Sequence, residues 1–237
     1  MENKETFQAR LRPYFSPSDQ LDIKLAYCLA KFGHRAQTRK ELTEEGKPTR
    51  YFEHVRRVAI VLMDELKIMD RDMIITLLLH DSLEDTQDVT SELLEHCFGS
   101  RVTHMVKMLS KVPKEGYIDR MSNCHEWGVL AAKGCDRLDN LRSLMIPGNT
   151  VEFQKKQIEE TRTKYFPLFD EMVTLAPPKY ADNIQRLRDE IHRLVERYSV
   201  MIELEEQKRE ALNNSECSTC HKQPRGPQCP EKCDEYH

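Results

Sequence analysis

The feature that most constrains this chain is an apolar run that ends in two polar residues. Residues 73–79 read Met-Ile-Ile-Thr-Leu-Leu-Leu and are followed at once by His80 and Asp81. The run is apolar on nearly every side of a helix, which predicts a position at the centre of a helical domain. Burying an unpaired imidazole or carboxylate there would cost about 2–7 kcal/mol, whereas a bound cation would compensate both groups. The dipeptide alone does not decide between a metal site and a capped helix end.

Further polar residues, both adjacent and distant, favour the metal site. Glu84 and Asp85 follow one turn after His80, a spacing that places Glu84 on the same helix face. His54 stands upstream near the start of another helix, and Asp136 lies far downstream. Two imidazoles and two carboxylates suit Mn²⁺ or another divalent ion and leave positions open for water and substrate. The pattern predicts a single divalent ion held by His54, His80, Asp81 and Asp136.

Composition and periodicity predict an all-α fold. Only 8 of the 237 residues are Gly, while Leu, Glu, Lys and Arg recur, which favours helices over sheets. We expect a charged loop between Arg39 and Arg50, because Gly46 and Pro48 interrupt it. Helices are expected over about residues 19–37, from 51, from 70, 90–99, 100–110, 117–144, 151–172 and 182–212.

The last of these helices carries an apolar seam with alternating steps of three and four residues. The seam consists of Ile184, Leu187, Ile191, Leu194, Tyr198 and Met201. One interpretation is packing onto the surface of the chain's own domain. The other is a helix–helix contact that forms a homodimer.

Four cysteines crowd the C-terminal end of the sequence. They are Cys217, Cys220, Cys229 and Cys233. Two Cys pairs at this spacing predict a structural Zn²⁺ site that would order a segment too small to fold by burial alone. A disordered tail with incidental thiols is the alternative. A c-type haem would leave the second Cys pair unexplained.

Charge and hydropathy restrict the partners. The formal net charge is -4, which gives no reason to expect nucleic acid or an anionic membrane surface as a partner. No apolar run approaches the roughly 18–20 residues that span a bilayer, and residues 1–12 lack the apolar stretch of a secretory signal. We therefore expect a cytoplasmic protein with no membrane partner.

Several short motifs follow one another between residues 26 and 144. Residues 78–86 read Leu-Leu-His-Asp-Ser-Leu-Glu-Asp-Thr, and residues 136–140 read Asp-Arg-Leu-Asp-Asn. Together with His34, Gln37 and the Arg39-Lys40 pair upstream, they resemble the hydrolase domain of the RelA/SpoT alarmone enzymes. The resemblance covers about half the chain, and the run His-Asp-x-x-Glu-Asp-Thr is far more specific than His-Asp alone.

The resemblance implies a role for each matching position. Its metal ligands fall on His54, His80, Asp81 and Asp136, and its catalytic carboxylates on Glu84 and Asp85. Its substrate-binding positions fall on Arg39, Lys40, Lys133, Arg137 and Asn140. Three departures accompany these matches: residues 41–50 are longer than the usual link, Val55 follows the metal His where Pro is usual, and Asp139 stands where His is common.

The resemblance also implies an architecture and a reaction. We expect an HD-domain helical bundle over residues 1–175, an amphipathic helical extension over 176–213 and a small Cys-rich, zinc-binding tail over 214–237. The implied reaction is metal-dependent hydrolysis of the 3′-pyrophosphate of guanosine tetra- or pentaphosphate, (p)ppGpp, without a synthetase domain. Two alternatives remain open: an HD phosphohydrolase acting on another nucleotide, such as NADPH or a dNTP, and a binding protein that senses alarmone without hydrolysis.

Overall fold

The protein is described from a computed structural model that covers the backbone of residues 2–219 and the side chains of residues 2–212. One compact unit extends to Tyr198, and a second begins at Ser199. The helices are α1 (Lys4–Leu11), α2 (Pro17–Gly33), α3 (Tyr51–Ile60), α4 (Arg71–Leu79), α5 (Ser82–Asp85), α6 (Ser91–Phe98), α7 (Ser100–Leu109), α8 (Tyr117–Ser122), α9 (Trp127–Arg142), α10 (Val151–Glu160), α11 (Phe166–Leu175) and α12 (Ala181–Thr219). Short π-helical turns follow α3 (Val61–Glu65) and α10 (Thr161–Tyr165).

The apolar run forms α4, which lies at the centre of the bundle as predicted. Every residue from Met73 to Leu79 is buried, and α4 contacts α2, α3, α7 and α9. Asp70 caps the helix by accepting a hydrogen bond from the Met73 N–H at 3.0 Å. Because this helix is surrounded by others, its C-terminal end delivers His80 and Asp81 into the interior. The all-α prediction is confirmed.

The segment predicted as a loop between Arg39 and Arg50 is instead an antiparallel hairpin. Strand β1 (Thr38–Leu42) pairs with β2 (Pro48–Arg50), with Thr38 opposite Arg50 and Leu42 opposite Pro48. Both strands alternate between exposed and half-buried residues, so no apolar alternation marks them in the sequence. The loop prediction was wrong because the backbone pairing of this hairpin does not require alternating apolar residues.

Helix α2 begins earlier than expected and presents an apolar stripe to solvent. Ser16, rather than Asp19, caps the helix, since its hydroxyl accepts from the Asp19 N–H at 3.2 Å. The exposed stripe consists of Leu21, Leu25, Cys28 and Phe32. The buried face of α2 instead consists of Ile23, Ala26, Tyr27 and Ala30. Periodicity located the helix but did not identify the face that packs.

The single helix expected over residues 117–144 is two helices. Helices α8 and α9 are separated at residues 123–126, and neither Gly128 nor Gly134 interrupts α9. Gly134 has a packing role: a Cβ at this position would lie 2.9 Å from Leu187 Cδ2 of α12. The absence of a side chain lets the two helices approach closely, and this contact helps to fix the orientation of α9.

The first four of the six seam residues on α12 pack within the domain. Ile184, Leu187, Ile191 and Leu194 are buried, and the Asn183 side chain donates to the Leu66 carbonyl at 2.8 Å. This agrees with the interpretation that the seam covers the chain's own surface. None of the helices described is long and apolar enough to cross a bilayer.

Candidate functional site

Four side chains from three parts of the sequence converge inside the bundle. His54 comes from α3, His80 and Asp81 follow α4, and Asp136 lies on α9. The Nε2 atom of His54 lies 3.3 Å from Asp136 Oδ1 and 3.8 Å from Asp81 Oδ2. The Nε2 atom of His80 lies 2.9 Å from Asp81 Oδ2 and 3.7 Å from Asp136 Oδ1. The structure thus brings together all four of the predicted metal ligands.

Both imidazoles are oriented by a hydrogen bond at the nitrogen that faces away from this cluster. The Nδ1–H of His80 donates to the Leu77 carbonyl at 2.8 Å, and the Nδ1–H of His54 donates to Asp139 Oδ2 at 2.7 Å. Because both partners can only accept, each ring directs the lone pair of Nε2 into the cluster. His80 Nε2 is buried and makes no hydrogen bond of normal geometry within the described chain. An orphaned imidazole nitrogen beside two carboxylates fits a divalent cation.

Hydrogen bonds also orient the two carboxylates. Asp136 Oδ2 accepts from Lys133 Nζ at 2.7 Å, and its Oδ1 accepts from Asn140 Nδ2 at 2.7 Å. Asp81 Oδ2 accepts from the Tyr51 hydroxyl at 2.6 Å. Lys133 and Asn140, predicted as substrate contacts, therefore also position a candidate metal ligand. Tyr51 was missed because a tyrosine at the start of a helix carries no metal-site signal.

The charges around the cluster favour a cation. Burial lowers the pKa of His80, but the Asp81 and Asp136 carboxylates outweigh this effect and raise its pKa to about 10. Burial raises the pKa of Asp136, yet Lys133 and the two imidazoles lower it well below its usual range. A buried site that stabilises positive charge this strongly suits a divalent ion in place of protons.

A cleft of about 690 Å³ opens beside the four side chains. Asp81 and Asp136 lie at its wall, and so do all the predicted substrate-binding residues, which are Arg39, Lys40, Lys133, Arg137 and Asn140. Arg39 donates from Nη2 to Asn140 Oδ1 at 3.0 Å, and Lys40 Nζ lies 5.5 Å from the centre of the Phe153 ring. The structure thus places all five predicted substrate-binding residues around one cavity.

Two tyrosines that sequence reasoning missed line the cationic wall of this cleft. The Arg137 guanidinium lies 4.1 Å from the centre of the Tyr165 ring, and Lys133 Nζ lies 5.3 Å from the same ring and 5.8 Å from that of Tyr117. The Tyr117 hydroxyl and Arg137 Nε are buried and make no hydrogen bond of normal geometry within residues 2–212. Unsatisfied donors beside two cations form a surface that suits an anion.

The two predicted catalytic carboxylates lie one turn beyond the cluster. Glu84 Oε2 accepts from the Lys111 N–H at 3.1 Å, and its Oε1 lies 3.7 Å from Lys111 Nζ. Partial desolvation of Asp85, together with the nearby negative charges of Asp81 and Glu84, raises the pKa of its carboxyl group. A raised pKa brings a carboxyl group closer to the range useful for proton transfer near neutral pH.

The predicted zinc site lies outside the side chains that the structure describes. Cys220, Cys229 and Cys233 lie outside the described residues, as does the side chain of Cys217. The structural Zn²⁺ in the tail stays a prediction.

Comparison with known families and structures identifies the central region. Residues 29–128, which include His54, His80 and Asp81, match the HD domain family. The match covers 100 of the 237 residues, and the helical bundle is consistent with an HD domain over this part of the chain. A solved structure titled as a metazoan ortholog of SpoT that hydrolyzes ppGpp is similar to this chain, with 28% sequence identity and a TM-score of 0.55. The match covers 76% of this chain and 96% of that structure.

Curated relatives of the chain include enzymes named for guanosine bis(diphosphate) or (p)ppGpp. A guanosine-3′,5′-bis(diphosphate) 3′-pyrophosphohydrolase of Aquifex aeolicus is 37% identical over 161 residues, which are 64% of this chain and 22% of the relative. The bifunctional (p)ppGpp synthase/hydrolase SpoT of Escherichia coli is 31% identical over 168 residues, 65% of this chain and 22% of the relative. The chain thus spans about a fifth of the length of these relatives. The predicted resemblance to RelA/SpoT-type hydrolase domains is confirmed.

Proposed function

We propose that this HD-domain protein hydrolyses the 3′-pyrophosphate of (p)ppGpp, giving GDP or GTP and pyrophosphate. The observation that carries the proposal is the buried cluster of two imidazoles and two carboxylates at the wall of a cationic cleft. The names of the similar proteins, which include a 3′-pyrophosphohydrolase and a ppGpp-hydrolysing SpoT ortholog, support the choice of substrate.

In this proposal the metal ligands are His54, His80, Asp81 and Asp136. A divalent ion such as Mn²⁺, when bound there, would lower the pKa of a water ligand and supply the nucleophile near neutral pH. Glu84 and Asp85 would position the attacking water and accept its proton, a role that the raised pKa of Asp85 suits.

The cleft residues divide between the two ends of the nucleotide. Lys133, Arg137 and the Tyr117 hydroxyl contact phosphoryl oxygens and offset the negative charge that builds up on them. Arg39, Lys40 and Asn140 contact the nucleoside, on the wall formed by the β1–β2 hairpin and α9. The cleft is large enough for one nucleotide, since small-molecule sites commonly occupy about 300–1,000 Å³.

Turnover of ppGpp by the metal-loaded protein tests this proposal. With Mn²⁺ present we expect release of pyrophosphate, and we expect Glu84→Ala and Asp85→Ala each to lower kcat by about 10²–10⁴-fold, because each removes a group that handles the attacking water. Glu95→Ala, at an exposed position of α6, is the matched control and should leave kcat unchanged. Full activity in both active-site variants would contradict the assigned roles.

The same assay separates the two alternatives. The β1–β2 hairpin supplies part of the cleft wall, and its residues 41–50 are longer than the link usual in the RelA/SpoT enzymes. A cleft wall that differs in this way could accept another base, so a nucleotide such as NADPH or a dNTP is a second candidate substrate. Turnover of NADPH without turnover of ppGpp would favour that reading. Tight ppGpp binding without turnover, in protein shown to contain metal, would favour an alarmone sensor.

Three further predictions accompany this proposal. They are a cytoplasmic location, a homodimer formed through the C-terminal helix, and a structural Zn²⁺ bound by the four tail cysteines. Metal analysis of the purified chain tests the last, with about one Zn²⁺ per chain expected in addition to an exchangeable ion in the HD site. Sedimentation velocity tests the dimer.

A further inference from the structure

One arginine joins two acidic residues behind the candidate metal site. Arg57 of α3 donates from Nε to Asp139 Oδ1 at 2.8 Å and from Nη2 to Asp139 Oδ2 at 3.0 Å. The same Nη2 donates to Glu41 Oε1 of strand β1 at 3.1 Å. Asp139 belongs to α9, so this arginine ties together the hairpin, α3 and α9.

Asp139 is in turn the partner of a candidate metal ligand. Its Oδ2 accepts the Nδ1–H of His54, and its side chain is only 5% exposed. A buried carboxylate can hold the imidazole in the orientation that presents Nε2 to a metal only if its own charge and position are secured. The guanidinium of Arg57 does both. Its positive charge offsets that of the carboxylate, and its two parallel hydrogen bonds fix the plane of the carboxylate.

Glu41 connects this arrangement to the wall of the substrate cleft. Its Oε1 also accepts from Arg39 Nε at 3.0 Å, and Arg39 reaches on to Asn140, which donates to Asp136. The hairpin is therefore linked by hydrogen bonds to two of the four candidate ligands. Glu41 touches neither ligand itself.

We propose that Asp139 is a positioning residue for His54, and that Glu41, acting through Arg57, makes metal affinity depend on the β1–β2 hairpin. The inference rests on the metal site of the proposed function but not on its substrate. A ligand that binds Arg39 would break the hydrogen bond between Arg39 and Glu41, so that Glu41 would bond to Arg57 alone.

Mn²⁺ affinity, measured without substrate, tests the positioning role. We expect Asp139→Asn to raise the Kd for Mn²⁺ about 10–100-fold in chelator-stripped protein, measured by the electron paramagnetic resonance of free Mn²⁺. Glu41→Gln should raise the Kd by about threefold or more, a smaller change because Glu41 acts at a distance. Glu45→Gln is the matched control, since Glu45 lies in the same hairpin, is exposed and pairs with Lys47.

A double-mutant cycle tests the route through Arg57. If Glu41 acts by way of Asp139, the double variant should bind Mn²⁺ no more weakly than Asp139→Asn alone. Additive effects of the two substitutions would overturn the route, and a Glu41→Gln Kd equal to that of Glu45→Gln would overturn the role of the hairpin. Because Glu41 is only half-buried, we expect Glu41→Gln to fold. Its comparison with Glu45→Gln therefore tests the role of the hairpin even if Asp139→Asn does not fold.

Two readouts separate this proposal from looser explanations. General loosening would lower the thermal midpoint of metal-free Glu41→Gln, whereas positioning predicts a midpoint equal to that of Glu45→Gln. At saturating Mn²⁺ the Glu41→Gln protein should still bind as many ions per chain as the wild type, because only the affinity of the site is lowered. A wild-type protein that binds Mn²⁺ but does not hydrolyse ppGpp would overturn the proposed function alone, and the Kd series would still decide this inference.

Discussion

The Tyr117 hydroxyl illustrates what a single side chain contributes to this cleft. Burial raises the pKa of Tyr117, although nearby Lys133 lowers it, so the hydroxyl stays protonated at neutral pH and can donate a hydrogen bond. It is buried at the cleft wall and makes no normal hydrogen bond to any described residue. A buried donor without a partner usually costs free energy, which a bound phosphoryl oxygen would recover.

Tyr117→Phe should therefore separate substrate binding from stability. We expect KM for the nucleotide to rise about threefold to tenfold, because one hydrogen bond worth about 0.5–1.5 kcal/mol is lost only in the complex. The free energy of unfolding of the free protein should stay the same or rise slightly, as measured by urea titration. Tyr14→Phe, at an exposed position, is the control. A loss of stability beyond about 1 kcal/mol would show that the hydroxyl is already paired in the free protein.

At the scale of elements, α4 depends on its N-cap. Asp70 accepts the Met73 N–H and two hydrogen bonds from Arg101, at 3.1 and 3.2 Å. Burial raises the pKa of Asp70, but the bonds from Arg101 and Met73 outweigh it and lower the pKa below its ordinary value. The cap thus secures the N-terminal end of the helix whose other end supplies His80 and Asp81.

Asp70→Ala should lower the free energy of unfolding by about 1–2 kcal/mol, the usual loss for an N-cap carboxylate. Because the folded-state pKa is depressed, this contribution is present above the unfolded value of about 3.9 and is lost as pH falls through the folded-state pKa. The difference from the wild type should shrink below about pH 4 in urea titrations at several pH values.

Asp88→Ala provides the matched comparison at this scale. Asp88 forms an exposed ion pair with Arg35, whose side chain is 53% exposed, so its removal should cost less than about 1 kcal/mol. Equal losses in the Asp70 and Asp88 variants would show that capping contributes nothing beyond a surface ion pair.

At the scale of the whole molecule, the candidate ligands bring α3, the end of α4 and α9 together at one cluster. A cation that binds only when these helices are packed together stabilises the folded state by mass action. We therefore expect Mn²⁺ at 100 times its Kd to stabilise the metal-free protein by about 2.7 kcal/mol. For a chain of this length that corresponds to a rise in Tm of about 5–10 °C.

Differential scanning calorimetry with and without Mn²⁺, after removal of metal by EDTA, measures this shift. His80→Ala should abolish the increase, because it removes a ligand from the cluster. Exposed His104, which pairs with Glu126, provides the control substitution His104→Ala and should leave the increase unchanged. An Mn²⁺-induced rise that persists in His80→Ala would place the stabilising ion elsewhere.

The sequence by itself determined most of the helices and the identity of the clustered ligands. Helix periodicity, the Asp70 cap and the chemistry of His80-Asp81 with Glu84 are short-range properties, so they can be read along the chain. The distant members His54 and Asp136 were proposed from their residue types and matched by the resemblance. The structure places His54 Nε2 3.8 Å from Asp81 Oδ2 and 3.3 Å from Asp136 Oδ1.

Only the tertiary structure decided which residues support those ligands and which faces are buried. The roles of Tyr51 and Asp139 depend on partners 30 to 85 residues away in the sequence. The exposed stripe on α2, the β1–β2 hairpin and the role of Tyr117 likewise became visible only in the folded chain. Local sequence patterns do not identify such partners, because an aspartate or tyrosine has the same local preferences whether its side chain contacts solvent or a buried imidazole. Packing the helices creates those pairs, and the physical reason is that burial makes each polar group depend on whichever neighbour the fold supplies.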